Sequence, residues 1–211
     1  MARSTEASSR ASLEALGLAE PAVSALEAYL RLLSLWNSKV NLTAAWSPAT
    51  QVDVLIRDVV PLVDLLGPGD VIDVGSGNGS PGLILGVLAP DRAVTLLEPR
   101  TRRWAFLREA ARAVGRPDIR VLRLRHDEVR APPSANVTVR ALRLPAPELA
   151  RLMAPGGRIL ALGTLPPESE GFRARKVGIA GRGFVHLIER GDVPRETTAA
   201  TKPPDGLSGG G

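Results

Sequence analysis

At 211 residues, with 44% hydrophobic and 23% charged residues, the chain has the composition of one folded domain. Its net charge of +5 fits a polyanionic partner and a merely solvated basic helix face equally well. It contains no cysteine and only two histidines, which excludes disulfides and cysteine-bound metal and leaves no metal site expected. No apolar run reaches the roughly 20 residues of a membrane helix and the first residues form no secretory signal, so we expect a cytoplasmic protein with no membrane association.

The first third of the sequence predicts helices. Apolar residues from 20 to 36 fall on one face, which predicts an amphipathic helix. Ser47 is a good N-cap and Pro48 suits a first helical position, so a second helix is expected there. Pro61 should kink or end that helix because it lacks an amide hydrogen.

After Gly67 the sequence changes to short apolar runs separated by helical stretches. Helices are expected over 81–89, 100–114 and 145–153, with Gly156-Gly157 closing the last one and opening the next strand. This alternation predicts an α/β fold with a doubly wound, mostly parallel sheet. The five predicted strands are DVIDVG (70–75), AVTLLE (93–98), IRVLRL (119–124), NVTVRA (136–141) and RILALG (158–163).

Three regions follow from this pattern. Residues 1–66 are predicted to form a helical extension packed on the core, and residues 67–191 to form the core itself. The polar, Gly- and Pro-rich residues 192–211 are predicted to be a disordered tail.

The loop after the first predicted strand allows two cofactor interpretations. Residues 77–82, GNGSPG, fit the dinucleotide pattern G-x-G-x-x-G, whereas residues 73–79, DVGSGNG, fit the acid-x-G-x-G-x-G pattern of S-adenosylmethionine (SAM) enzymes. Pro81 removes an amide that a pyrophosphate would need, while the ammonium and sulfonium of SAM suit a carboxylate such as Asp73. We therefore favour SAM over a dinucleotide, and over a tight turn that binds nothing. The predicted cofactor-binding residues of this loop are Asp73, Gly75, Ser76, Gly77 and Gly79.

Two more segments indicate a nucleoside cofactor. Glu98 ends the second predicted strand, where an acid can accept hydrogen bonds from both ribose hydroxyls. NAD enzymes share this acid, so Glu98 does not distinguish the two cofactors. His126 and Asp127 follow the third strand, at the loop that lies beside an adenine in such sheets. A polar loop capping a short helix at Asp127 is an equally good interpretation of that segment.

Six segments together resemble one family. They are WNSKVNLTA (36–44), IRDVV (56–60), IDVGSGNGSPGLIL (72–85), LLEPRTRRWAFLRE (96–109), LRHDEV (124–129) and TVRA (138–141). These segments are similar to the signatures of the small-subunit ribosomal RNA guanine-N7 methyltransferases (RsmG, also called GidB), and WNSKVNLTA is the most specific of them. The resemblance covers roughly residues 25 to 165. It implies a SAM-dependent methyltransferase fold and methyl transfer to N7 of a guanine in ribosomal RNA, as free RNA or in the small ribosomal subunit.

The resemblance also implies roles for single residues. Arg140 matches an arginine placed near the reacting methyl and the RNA, so it is the predicted catalytic residue; pairing with a neighbouring acid is the alternative. The positions that match cofactor contacts are Gly75, Ser80, His126, Asp127 and Arg140. The positions that match basic, RNA-facing residues are Arg57, Arg102, Arg103 and Arg182. Trp36, Asn37 and Asn41 are expected to be structural, and Trp46 is expected to be buried rather than stacked on a base.

The sequence departs from the family pattern near its ends. Asp58 and Gly183 stand where the family has histidines, and Gly163 stands where it has a lysine. Residues 164–174 scarcely leave room for a crossover helix. We therefore expect a shortened C-terminal part with fewer cations facing RNA.

Guanine N7 loses no proton before it attacks, so the implied reaction needs positioning and electrostatics but no general base. The alternatives are a methyltransferase for another RNA or a small molecule, and a non-catalytic SAM- or RNA-binding protein. A NAD-dependent oxidoreductase is disfavoured by Pro81 and by the lack of an evident catalytic His or Tyr–Lys pair. We expect the chain to be a monomer.

Overall fold

The described part of the chain begins with helices, as the apolar spacing predicts. The computed structural model describes residues 9–163, 169–179 and 183–191; residues 9–14 are helical, and helix α1 spans Glu20–Val40. The helix buries Leu26, Leu30 and Leu33, which confirms the amphipathic prediction.

The turn after α1 is fixed by Asn37, whose side chain is buried. Its Oδ1 accepts hydrogen bonds from the amides of Leu42 and Thr43 at 2.7 and 2.8 Å, and its Nδ2 donates to the Thr43 carbonyl at 2.9 Å. Asn41 ends the helix in the left-handed conformation, at φ +55°. These contacts confirm a structural role for the asparagines and bring the chain from α1 to the sheet.

The second predicted helix is present but is not regular. Ser47 Oγ accepts from the Thr50 amide at 3.2 Å and caps helix α2, Pro48–Gln51. A π-helical segment, Val52–Arg57, continues it, and a 3₁₀ helix, Val60–Leu65, follows. Pro61 lies in the first turn of the 3₁₀ helix, so the predicted interruption is confirmed. Isolated π turns occur often at functional sites, which draws attention to this segment.

A seven-stranded sheet forms the centre of the molecule, in the order β3-β2-β1-β4-β5-β7-β6. The strands are β1 Val71–Val74, β2 Val94–Leu97, β3 Arg120–Leu122, β4 Ser134–Arg140, β5 Met153–Leu162, β6 Phe172–Ile179 and β7 Gly183–Arg190. The first five run parallel and β7 is antiparallel to both of its neighbours, so the mostly parallel α/β prediction is confirmed. The intervening helices are α3 Gly82–Leu88, α4 Thr101–Ala113, α5 Ala146–Leu149 and a 3₁₀ turn Ala150–Leu152.

The prediction for Gly156-Gly157 is wrong. Both glycines lie inside β5, where the pairing with β4 shifts register between Ser134 and Asn136. A side chain at Gly157 would meet the Ala135 carbonyl oxygen at 2.7 Å, so this strand can approach β4 only with glycine there. The pair therefore forms an irregularity within a strand rather than a boundary.

The C-terminal part completes the sheet despite its short connection. Residues 163–171 join β5 to β6, and β7 inserts between those two strands. At the described ends of this link, residues 163 and 169–171, no helix is formed. The predicted tail, 192–211, lies outside the described residues.

The sheet has apolar layers on both faces. Residues of α1 and of the π-helical segment share one buried cluster with α3 and α4, including Leu26, Tyr29, Val52, Leu83 and Phe106. The other face packs against α5 through a second cluster. The π-helical segment also reaches the carboxyl end of β4, because Arg140 donates to the Val54 carbonyl there, and ligands bind at this edge of open parallel sheets.

Candidate functional site

The glycine loop lies between β1 and α3 and presents bare backbone to a cleft. Gly75, Gly77 and Gly79 all have positive φ, at +71°, +51° and +96°. The positive φ of Gly75 is the reason that this turn favours glycine, since a side chain there would otherwise meet only the end of the exposed Leu142 side chain. Pro81 occupies the N-cap of α3, which leaves that helix start without one amide donor.

Glu98 stands at the carboxyl end of β2 and fixes the loop. Its Oε2 accepts a 3.0 Å hydrogen bond from the Gly77 amide. Its Oε1 accepts a 2.9 Å bond from the Arg100 amide. The residue is almost fully buried yet lines the cleft. A carboxylate held at this strand end retains lone pairs for a ligand hydroxyl.

Asp73 lies behind the loop rather than on the wall of the cleft. The residue is 1% exposed. Its Oδ1 accepts a 2.6 Å hydrogen bond from Thr138 Oγ1, while Oδ2 has no hydrogen-bond partner. Burial raises the pKa of Asp73 to about 6, and the bond from Thr138 offsets only part of that rise. In this position Asp73 supports the glycine loop, and it can affect a ligand only through that loop.

The raised pKa of Asp73 predicts a measurable pH dependence of stability. Because the folded-state pKa of about 6 exceeds the ordinary 3.8, the folded protein binds the proton more tightly than the unfolded chain. The free energy of unfolding should therefore fall as pH rises from about 4 to about 6. The contribution of Asp73 to that fall is roughly 3 kcal/mol at most.

Asp73→Asn should remove that contribution, because asparagine carries no charge in this pH window. Urea unfolding at several pH values checks this, with the exposed Asp64→Asn as the matched control. Equal pH slopes for the wild type and Asp73→Asn would contradict the buried-acid description.

Arg140, at the end of β4, joins three parts of the molecule. Its Nη1 donates to Ser80 Oγ in the loop before α3 at 2.8 Å, and its Nη2 donates to the Val54 carbonyl in the π-helical segment at 2.5 Å. Ser80 Oγ in turn donates to the Leu55 carbonyl at 2.7 Å. Asp58 Oδ2 lies 3.6 Å from Nη2. Burial lowers the pKa of Arg140, and Asp58 opposes that effect.

Two adjoining chambers open at this end of the sheet. The larger, of about 680 Å³, is lined by residues that include Glu98, Leu124 and His126. The smaller, of about 500 Å³, lies between the glycine loop and residues 42–55. Its lining is Leu42, Thr43, Ala44, Ala45, Thr50, Val54, Leu55, Gly75, Ser76, Gly77, Asn78, Ser80, Arg103, Arg140 and Ala141. Gly75, Arg103, Arg140 and Ala141 line both, so they form the wall between the chambers.

His126 and Asp127 are adjacent in sequence but make different contacts. His126 lines the larger chamber, with Nε2 2.9 Å from Glu148 Oε2. Asp127 instead accepts a 3.2 Å hydrogen bond from Arg125, which lowers the pKa of its carboxyl. The segment is a 3₁₀ turn in which Glu128, not Asp127, accepts the Arg125 amide at 2.7 Å.

The predicted RNA-facing arginines do not form one cluster. Arg103 reaches both chambers and donates to the Asn41 carbonyl at 3.3 Å. Arg57 pairs with Asp53 at 2.8 Å. Arg102 lines a separate groove beside the end of α1. Arg182 lies outside the described residues.

The expected burial of Trp46 is wrong. Its side chain is 66% exposed, although the preceding Ala45 is buried and lines the smaller chamber. Ser47, the N-cap of α2, follows Trp46 directly. Among the residues described, no group of three or more acidic or histidine side chains is placed to hold a metal ion. None of the described helices is long and apolar enough to span a membrane.

Comparison with known proteins gives concordant results. The family model described as rRNA small subunit methyltransferase G matches residues 22–180. The ribosomal RNA small subunit methyltransferase G of Halorhodospira halophila is 39% identical over 145 residues, which are 67% of this chain and 69% of that protein. The Neisseria gonorrhoeae protein of the same name is 35% identical over 192 residues, 88% of this chain and 90% of that one.

Solved structures show the same fold at greater distance. A mutant of MtNAS in complex with S-adenosylmethionine superposes with a TM-score of 0.56 at 15% identity, over 76% of this chain and 72% of that one. MtNAS in complex with MTA and tNA gives 0.53 at 15% identity, over 76% and 70%. At such identities the likeness concerns the fold alone.

Proposed function

Because this chain belongs to the rRNA small subunit methyltransferase G family, we propose that it transfers a methyl group from SAM to N7 of a guanine in small-subunit ribosomal RNA. The family assignment makes it a SAM-dependent methyltransferase. The position of Arg140 carries the rest of the proposal. It stands in the wall between two chambers and is held there by the loop before α3 and by the π-helical segment.

The larger chamber fits the nucleoside end of SAM. Glu98 is placed to accept hydrogen bonds from ribose hydroxyls, and His126 lies where an adenine would be met. Pro81 at the N-cap of α3 suits a ligand that carries no phosphate. The glycines at 75, 77 and 79 let that ligand approach the backbone closely. When bound, SAM supplies a methyl group activated by its sulfonium.

The smaller chamber fits an acceptor that gives up no proton. Among the residues that the structure describes, the ionisable side chains that line it are those of Arg103 and Arg140, with no aspartate, glutamate, histidine or lysine beside them. A hydroxyl or exocyclic amine would need a base at this point, whereas the N7 lone pair of guanine needs none. The chemistry of the lining therefore favours N7 over acceptors that must be deprotonated.

Arg140 orients the acceptor and stabilises the arrangement electrostatically. Its guanidinium is fixed by Ser80 and Val54, so its remaining donors point from a rigid position. Asp58, where the family has histidine, lies against this guanidinium and offsets the cost of its burial. Gly163, where the family has lysine, directly follows β5, and it is not among the described residues that line either chamber.

The RNA reaches the smaller chamber as an unpaired or splayed nucleotide, because a stacked guanine could not enter it. The protein works on the ribosomal RNA of the cytoplasm, as a monomer. Arginine contacts with the RNA backbone make its affinity fall as salt rises.

Transfer of labelled methyl from SAM to small ribosomal subunits that lack the modification tests the proposal. We expect label in the small-subunit RNA and none in large subunits, which serve as the matched control. SAM binding without any transfer, or equal labelling of both subunits, would contradict it.

A further inference from the structure

Trp46 is the most exposed of the three tryptophans. Trp36 meets Phe106 edge-on at 5.9 Å between ring centres and donates to Glu109 at 3.1 Å. Trp104 donates to the Val121 carbonyl at 3.1 Å and lies under Arg108. Trp46 is 66% exposed, which is unusual for so large an apolar side chain.

The backbone on both sides of Trp46 is fixed. Gln51 Nε2, itself buried, donates to the Ala45 carbonyl at 3.0 Å. Ser47 begins α2 and caps it through the Thr50 amide. The indole is therefore attached at a rigid point of the surface rather than on a loose loop.

That point lies at the rim of the smaller chamber. Ala45 and Thr50, which flank the tryptophan in sequence, both line the chamber. Val54 lines it as well and is 43% exposed, so it adds a second apolar side chain at the opening. Trp46 itself is not part of the lining, which places it outside the space that receives the target base.

The charges at the opening specify the kind of partner. The ionisable side chains among the described residues that line the chamber are Arg103 and Arg140, whereas Arg57, on the π-helical segment that borders it, is paired with Asp53. Anionic RNA complements this rim, and an aromatic face binds any unpaired base by stacking. On the premise of the proposed function, we propose that Trp46 is a stacking platform for an unpaired RNA base adjacent to the target guanine, outside the chamber that holds the guanine itself.

Tryptophan fluorescence of the full chain during titration with a small-subunit ribosomal RNA transcript tests this. RNA should quench the wild-type emission, and Trp46→Phe should lose most of the quenching because Trp36 and Trp104 lie in protein contacts. Phenylalanine still stacks, so Trp46→Phe should keep the KM for RNA within about threefold. Trp46→Ala should raise that KM roughly 10-fold, with kcat and SAM affinity unchanged.

Leu35→Ala is the matched control, because Leu35 is 64% exposed but borders the groove beside α1 rather than this chamber. It should change neither quenching nor KM. An unchanged KM for RNA in Trp46→Ala, or full quenching by RNA in Trp46→Phe, would overturn the stacking site. Self-association of the wild type that Trp46→Ala abolishes would overturn it too, because Trp46 would then contact a second copy of the chain. Absence of methyl transfer by the wild type would refute the proposed function instead. The quenching of tryptophan fluorescence by RNA can still be measured in that case, because it does not depend on methyl transfer.

Discussion

Replacement of Arg140 by alanine should lower kcat for methyl transfer by about 100-fold or more, the usual cost of removing a fixed charged donor from a reacting centre. The arginine joins the loop before α3, through Ser80, to the π-helical segment, through Val54. Alanine removes both hydrogen bonds, and it leaves Asp58 without the guanidinium that lies 3.6 Å from it. Single-turnover transfer from labelled SAM, at saturating RNA, measures the effect.

Two further variants separate charge from geometry. Arg140→Lys keeps the charge but cannot donate to Ser80 and Val54 in the same fork, so its kcat should lie between those of the wild type and Arg140→Ala. Arg143→Ala removes an exposed arginine three residues along the chain and should leave kcat within about twofold. Unchanged turnover and RNA affinity in Arg140→Ala would show that the residue has only a structural role.

Replacement of Glu98 by glutamine should weaken SAM binding by on the order of 10- to 100-fold. Both carboxylate oxygens accept backbone amides, from Gly77 and Arg100. Glutamine has one acceptor oxygen, so its amide nitrogen must face one of these donors, and it also loses the charged acceptor for ribose hydroxyls. Isothermal titration calorimetry with SAM gives the affinity directly.

Glu109→Gln is the matched control for Glu98→Gln. Glu109 accepts a hydrogen bond from Trp36 on α1 and does not line either chamber, so its variant should bind SAM as the wild type does. Thermal unfolding of both variants separates lost affinity from lost structure. SAM affinity within about twofold of the wild type in Glu98→Gln would contradict a ribose-binding role.

The sheet was predictable because its signals are local. Buried parallel strands leave continuous apolar runs, and the glycine loop and Glu98 follow two such runs directly. Since parallel strands end at one edge of the sheet, residues just after different strands must lie near each other. Arg140, at the end of β4, could be placed beside the loop on the same reasoning together with the family resemblance.

The remaining features depend on contacts between distant segments. Sequence periodicity distinguishes helix from strand but not an α from a π turn, and the carbonyls of the π-helical segment accept bonds from Ser80 and Arg140 far along the chain. The exposure of Trp46 depends on where α2 is capped, and residue type alone favours burial. Gly156-Gly157 resembled a helix end because a double glycine is also a common boundary. Only the pairing of β4 with β5 shows that the two glycines lie inside a strand.

The identity of the methylated nucleoside tests most directly whether the methyl group goes to an acceptor that needs no base. Small subunits lacking the modification would be incubated with the protein and SAM, and their RNA digested to nucleosides for mass spectrometry against authentic standards. We expect 7-methylguanosine, which should disappear when Arg140→Ala replaces the wild type. A methyl group on a ribose hydroxyl or an exocyclic amine would contradict that expectation, because none of the described residues that line the smaller chamber is a base able to remove the proton.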